Sequence, residues 1–181
     1  MRIPSDWKPV AVGELQAHLG SFTNWVLCGG HSLDLILGKQ TRSHGDIDIG
    51  VFRSELLSCL HAIGKESVFL CSSAGTRTPW DGEPVPAAVH DIWVSDSLRE
   101  HWMLQVMVFD DEGEKVFYRR DPRITWSKDR HSLRIGEIRV LNPLITFLYK
   151  TNKTNLEEKE VMDIIALIEA PPNQPTQRAG S

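Results

Sequence analysis

Val12, Leu15, Leu19 and Phe22 recur at intervals of three and four, which predicts an amphipathic helix over residues 12–22. The apolar run Asn24-Trp25-Val26-Leu27-Cys28 stops at Gly29-Gly30, the pattern of a buried strand that ends in a glycine turn. Residues 32–37 read as a helix closed by Gly38. In Asp46-Ile47-Asp48-Ile49-Gly50-Val51 acid or small residues alternate with apolar ones, so this stretch predicts a strand with one apolar and one acidic face. A helix over 54–63, closed by Gly64, and a strand over 67–71 follow.

Ser72 to Pro86 is rich in Gly, Pro, Ser and Thr and reads as a loop or irregular hairpin. Strands are predicted over 89–94 and 101–109. The turn Asp110-Asp111-Glu112-Gly113 predicts a hairpin from the latter to 115–118. Residues 133–140 alternate around Gly136, a place for a turn. Helices are predicted over 143–150 and 156–168. The succession predicts an α+β (mixed α/β) fold in one domain, residues 1–169, with C-terminal helices over about 142–169. The Pro/Gln/Gly-rich residues 170–181 are expected to be disordered.

Chemistry concentrates in one stretch, Gly29-Gly30-His31-Ser32-Leu33-Asp34 through Thr41-Arg42-Ser43-His44-Gly45-Asp46-Ile47-Asp48. Asp46 and Asp48 are two apart, so on a strand both point to one face. Carboxylates held that close repel unless something neutralises them. Mg2+ prefers oxygen ligands and keeps a substrate phosphate in its shell. Two such ions can clamp the attacking and leaving oxygens of a phosphoryl displacement. Gly29-Gly30, between a strand and a helix, lets backbone approach a phosphate, and the helix N-terminus supplies free N–H groups. Ser32 and Arg42 are candidate additional phosphate contacts. A lone Gly-Gly is usually a turn and a lone Asp-x-Asp an exposed strand face; their order and spacing together favour a site.

Gly29-Gly30-x-Ser32 followed by Asp46-x-Asp48 resembles the signature of nucleotidyltransferases of the DNA polymerase beta superfamily. The longer pattern, with Asp34, Gly38, Thr41-Arg42 and His44-Gly45, resembles the aminoglycoside 2''-adenylyltransferase and lincosamide nucleotidyltransferase group. So do His90-Asp91-Ile92-Trp93, the segment 102–107, Tyr118-Arg119-Arg120-Asp121-Pro122-Arg123, and Leu141-Asn142-Pro143 with Leu148-Tyr149-Lys150. The resemblance spans about Trp25 to Ile168. It implies a nucleotidyltransferase fold, a twisted mixed sheet with helices packed on one side and short C-terminal helices.

It also implies a Mg2+-dependent transfer of NMP, AMP first, from an NTP (ATP) to a hydroxyl of a small acceptor such as an aminoglycoside or lincosamide. Pyrophosphate is released. Asp46 and Asp48 are then the metal ligands, and Gly29, Gly30, Ser32, Arg42, His44 and Lys150 the nucleotide contacts. The third carboxylate of the superfamily falls at Gln105, a weaker ligand and no base; Asp91 or Asp110 is its candidate substitute. His31 stands where the antibiotic enzymes tend to carry Trp. Two alternatives stay open: a toxin-like nucleotidyltransferase acting on RNA or protein, and a catalytically weak nucleotide-binding domain.

Other residues carry plainer expectations. Asp34 ties down the loop, and His44 is either a phosphate contact or a loop-orienting residue. Arg119, Arg120 and Arg123 either bind phosphate or, as is favoured, form ion pairs with Asp121 and Asp163. Residues 157–160 are expected on a solvated helix face, with Lys159 and Asp163 paired at i,i+4. His90, His101 and His131 lack metal-ligand spacing. Trp80, Trp93, Trp102 and Trp126 are core residues or acceptor-cleft walls.

Composition narrows the partners. Lys and Arg number 20 against 24 Asp and Glu, a net charge of −4, which argues against a chain whose main work is wrapping nucleic acid. No apolar run reaches membrane-span length. Cys28, Cys59 and Cys71 are odd in number and far apart, with no zinc spacing. A soluble, cytoplasmic monomer or homodimer is expected.

Overall fold

The computed structural model describes residues 3–72, 74–151 and 154–169. The predicted tail over 170–181 lies outside them. The strands are β1 (Asp6–Trp7), β2 (Val26–Leu27), β3 (Asp48–Phe52), β4 (Val68–Cys71), β5 (Arg77–Pro79), β6 (Asp91–Ser95), β7 (His101–Phe109), β8 (Asp111–Glu112), β9 (Lys115–Phe117), β10 (Thr125–Ser127), β11 (Ser132–Ile135) and β12 (Ile138–Leu141). The helices are α1 (Leu15–His18), α2 (Gly29–Leu37), α3 (Leu56–Ile63), α4 (Pro143–Thr151) and α5 (Glu158–Glu169).

A mixed sheet runs in the order β11-β12-β2-β3-β7-β6-β4-β5, with β1 also paired to β7. β3 and β7 are parallel; β6 is antiparallel to β7. The alternation predicted for the second strand explains the layers. Ile47, Ile49 and Val51 turn to one face, and join Leu104, Val106, Val108, Ile92 and Val94 in a core that also takes Leu15 and Leu19 with α1 and Leu56, Cys59 and Leu60 of α3. The opposite face carries Asp48, Gln105 and Trp93 side by side in register. There a second cluster gathers Val26, Cys28, Phe109, Val116, Leu141 and Ile145, joining α4 and the small sheet β10-β9-β8 to that face. This mixed α+β arrangement is the fold class expected from the sequence.

Several local readings need correction. The helix over 12–22 is shorter: a 3-10 turn over Val12–Glu14 runs into α1, which stops at His18. The glycine pair is the first turn of α2 itself, with Cys28 as N-cap. The turn at 110–113 does not fold β7 onto the next strand. Instead β9 pairs with β8 and β10 in the separate sheet, because Asp111 is drawn off to Ser54 and Lys128. The hairpin around Gly136 forms as β11 and β12. Among the described residues no helix is long and apolar enough to cross a membrane.

Candidate active site

β3 and α2 build the site together. The Cys28 N–H donates to the Asp48 carbonyl at 2.8 Å, fixing the start of α2 beside the start of β3. Gly29 has φ +64, and a Cβ there would collide with the Asp48 carboxylate. At Gly30 a Cβ would run into the His44 ring and crowd Arg42 Nη2. The two glycines are therefore required by the acid and the histidine that lean on the turn. Ser32 is fully buried, and its Oγ–H donates to the Gly29 carbonyl at 2.8 Å.

The loop leading into β3 is pinned by Asp34. One of its oxygens accepts from the Thr41 N–H (2.8 Å) and Oγ–H (2.7 Å), and the other lies 2.6 Å from His44 Nε2. Burial opposes ionisation of Asp34, but these hydrogen bonds outweigh it and hold its pKa below the ordinary value. The His44 side chain is only 2% exposed, so it forms a wall of the turn. His31 lies tilted against it, ring centroids 4.5 Å apart; burial, then the neighbouring His44, lower its pKa.

Asp48, the first residue of β3, stands against this turn, and Asp46 lies just before the strand, close enough for its charge to act on Asp48. The Asp48 carboxyl is pushed up to about 7, first by burial and then by the negative charge of Asp46 and Asp91; Lys150 and Lys159 pull the other way. Such a carboxyl is short of positive charge. An oxygen-only donor set with this deficit fits a hard divalent cation.

The two long cations expected at the nucleotide meet on one residue. Asp163 of α5, fully buried, accepts from Arg42 Nε (3.1 Å) and Nη2 (3.0 Å) and from Lys150 Nζ (2.7 Å). The bidentate geometry fixes the guanidinium plane. Burial opposes ionisation of Asp163, but the hydrogen bonds and charges of Arg42 and Lys150 hold its pKa down. This corrects the expectation of a solvated Asp163 paired with Lys159 or with the arginines after β9. Glu160 is buried as well, accepting from the Glu157 N–H at 3.1 Å. Sequence reasoning missed Asp163 as an organiser because its helix carries charge on several faces. The signal was a carboxylate amid Val161, Ile164 and Ile165.

Gln105 lies opposite Asp48 in the β3–β7 register. Its Nε2 donates to Asp91 Oδ1 at 3.3 Å, and Arg119 Nη1 to Asp91 Oδ2 at the same distance. A carboxylate thus stands one strand beyond Gln105. Asp110 is different: it lies with His90 Nε2 (2.6 Å) and Arg53 Nε (2.9 Å), past the end of β7, where alternation turns it away from Gln105. Arg123 pairs with Asp121 as expected, while Arg120 donates to the Tyr149 carbonyl at 3.0 Å. Trp80 and Trp102 are core residues, Trp126 stacks on the buried His131, and Trp93 is half-buried on the site face.

Residues 13–76 match the family model described as Aminoglycoside-2''-adenylyltransferase. Among solved structures, the lincosamide antibiotic adenylyltransferase LnuA with lincomycin bound is similar at a TM-score of 0.59 and 16% identity, over 91% of this chain and 100% of that one. ANT(2'')-Ia in complex with adenylyl-2''-tobramycin aligns at a TM-score of 0.44 and 14% identity, over 79% of this chain and 76% of that one. No curated protein sequence matches significantly. The chain thus shares the fold of the adenylyltransferase LnuA and, over residues 13–76, resembles the aminoglycoside-2''-adenylyltransferase family.

Proposed function

We propose that the chain is a Mg2+-dependent nucleotidyltransferase that moves AMP from ATP to a hydroxyl of a small-molecule acceptor. The sequence match over 13–76 and the fold support an adenylyltransferase of the antibiotic-modifying kind. The observation that carries the reading is the buried Asp48 carboxylate against the glycine turn of α2, with the negative charge of Asp46 beside it. Asp46 and Asp48 would hold two Mg2+ ions, which supply charge neutralisation on the phosphates.

The remaining work belongs to side chains and backbone of this chain. The free N–H groups at the start of α2 receive the triphosphate. Arg42 and Lys150, aimed by Asp163, supply further positive charge. The acceptor oxygen bonds to the α-phosphorus as the bond to the bridging oxygen breaks, and pyrophosphate leaves with that electron pair. Asp91 receives the hydroxyl proton, with Gln105 and Arg119 orienting its two oxygens. Positioning and charge supply most of the rate, since phosphoryl-type transfers need little covalent help.

The test is pyrophosphate release from ATP and Mg2+ with a panel of hydroxyl acceptors, including tobramycin, lincomycin, and neutral and acidic members. Acceptor-dependent release that disappears in Asp46→Asn is expected. Release independent of every acceptor, or none at all, would overturn the reading.

A further inference from the structure

The site face continues past the acids onto a platform that the proposed chemistry does not use. Across the sheet, Asp48, Gln105, Trp93 and Phe69 stand in one register row. One step along the strands, Asp91, Cys71 and Arg77 stand in the neighbouring row. The Arg77 guanidinium lies over the Trp93 ring, 4.0 Å from its centroid, and 5.8 Å from that of Trp102. Trp7 meets Trp93 edge-on, with centroids 5.0 Å apart. Neighbouring strands are about 4.8 Å apart, so Trp93 stands about 10 Å from Asp48, two strands away.

Arg77 is the unpaired cation of this platform. Arg77 Nε is buried without a hydrogen-bond partner. Among the described residues no carboxylate forms an ion pair with Arg77, whereas Arg42, Arg53, Arg99, Arg119 and Arg123 each have one. The nearest carboxylate in the row, Asp91, already has Arg119. A guanidinium stacked on an indole is held in plane by the ring, which leaves its Nη end as a rigid pair of donors for a carboxylate or phosphate. The nucleotide cradle lies on the other side of Asp48, at α2, so the side of Gln105 and Trp93 is left to the acceptor.

We propose that Arg77, seated on Trp93, reads an acid group on the acceptor, so that the substrate is a hydroxyl-bearing carboxylate or phosphate ester with an apolar body rather than a polycationic sugar. The inference rests on the nucleotidyltransferase reading and narrows its acceptor class. Trp93 and Trp7 take the apolar body, and Arg77 takes the acid at a distance of several bonds from the reacting hydroxyl. An amine in that place meets an unpaired cation, and the repulsion rejects it.

A matched trio tests this: 4-(hydroxymethyl)benzoate, 4-(hydroxymethyl)benzylamine and 4-methylbenzyl alcohol. Binding is read by tryptophan fluorescence and ligand NMR with Mg2+ and a non-hydrolysable ATP analogue, and transfer by pyrophosphate release. The acid should bind at least tenfold tighter than the amine in wild type. Arg77→Gln should erase that preference, Arg77→Glu reverse it, and Arg77→Lys keep part of it; thermal melts report whether each variant is folded. Should Arg77→Gln fail to fold, the order of the three ligands on wild type still decides. Equal binding of acid and amine, preference for the amine, or binding of none of the three would overturn the inference. Failure of the underlying reading looks different: wild type would then show no Mg2+-dependent ATP binding at all.

Discussion

Asp48→Asn should make the metal-free protein more stable at pH 8 and leave it unchanged at pH 4. The Asp48 carboxyl titrates at about 7 in the fold, against 3.8 for an ordinary aspartate. Its pKa is raised, so the folded state holds a proton that the unfolded chain has released. Stability is fully present below about pH 4 and is lost as pH rises through 7. Complete ionisation costs about 4 kcal/mol on that difference, and partial solvent access reduces it to about 2–4 kcal/mol.

For a chain of this size 1 kcal/mol moves Tm by about 2–4 °C. The variant should therefore melt roughly 4–16 °C above wild type at pH 8 in EDTA. His131 titrates in the opposite sense over the same range, but it is present in both proteins and cancels in the difference. Added Mg2+ should raise the wild-type Tm at pH 8 and leave Asp48→Asn nearly unmoved. The assay is scanning calorimetry at half-unit pH steps. Parallel wild-type and variant curves between pH 4 and 8 would refute the reasoning, because they would mean that Asp48 ionises without cost.

Asp163→Ala should destabilise the fold by about 3–5 kcal/mol, measured by urea unfolding, since it strands Arg42 and Lys150 without their shared buried partner. Asp91→Asn should lower kcat by about 10²–10⁴ with little change in ATP affinity, while Gln105→Ala should cost less, as a residue that only orients Asp91. Burial pushes the His131 imidazole down to about 4, so its contribution is lost as pH falls from 6.5 through 4. The loss approaches 3 kcal/mol at acid pH, on the order of 1.4 kcal/mol per pKa unit. His131→Gln should flatten the acid limb of the urea midpoint against pH.

The strands of the main sheet were legible where burial is one-sided. Residues 101–109 read as a strand, and β7 has those bounds. The two faces of the 46–51 segment followed from the same period-2 pattern. Two-residue β1 and three-residue β10 escaped notice, because so short a run carries no period and is held by its neighbours. The site was legible as far as local spacing reaches: Asp46-x-Asp48 and the glycine pair lie within twenty residues of each other. The partners that aim the cations were not. Arg42 and Asp163 are 121 residues apart, and only the packing of α5 against α2 brings them together. Asp91 was named from the sequence as one of two stand-ins for the third carboxylate, but its place beside Gln105, and not that of Asp110, comes from an antiparallel pairing that no spacing encodes.

We propose a divalent-metal nucleotide site on Asp46 and Asp48 beside the α2 turn. Calorimetric titration of ATP into wild type and Asp46→Asn/Asp48→Asn, with Mg2+ and with EDTA, tests it most directly. Wild type should bind ATP only with Mg2+, and the double variant should not bind it. Binding that ignores Mg2+, or survives the loss of both carboxylates, would contradict the proposal.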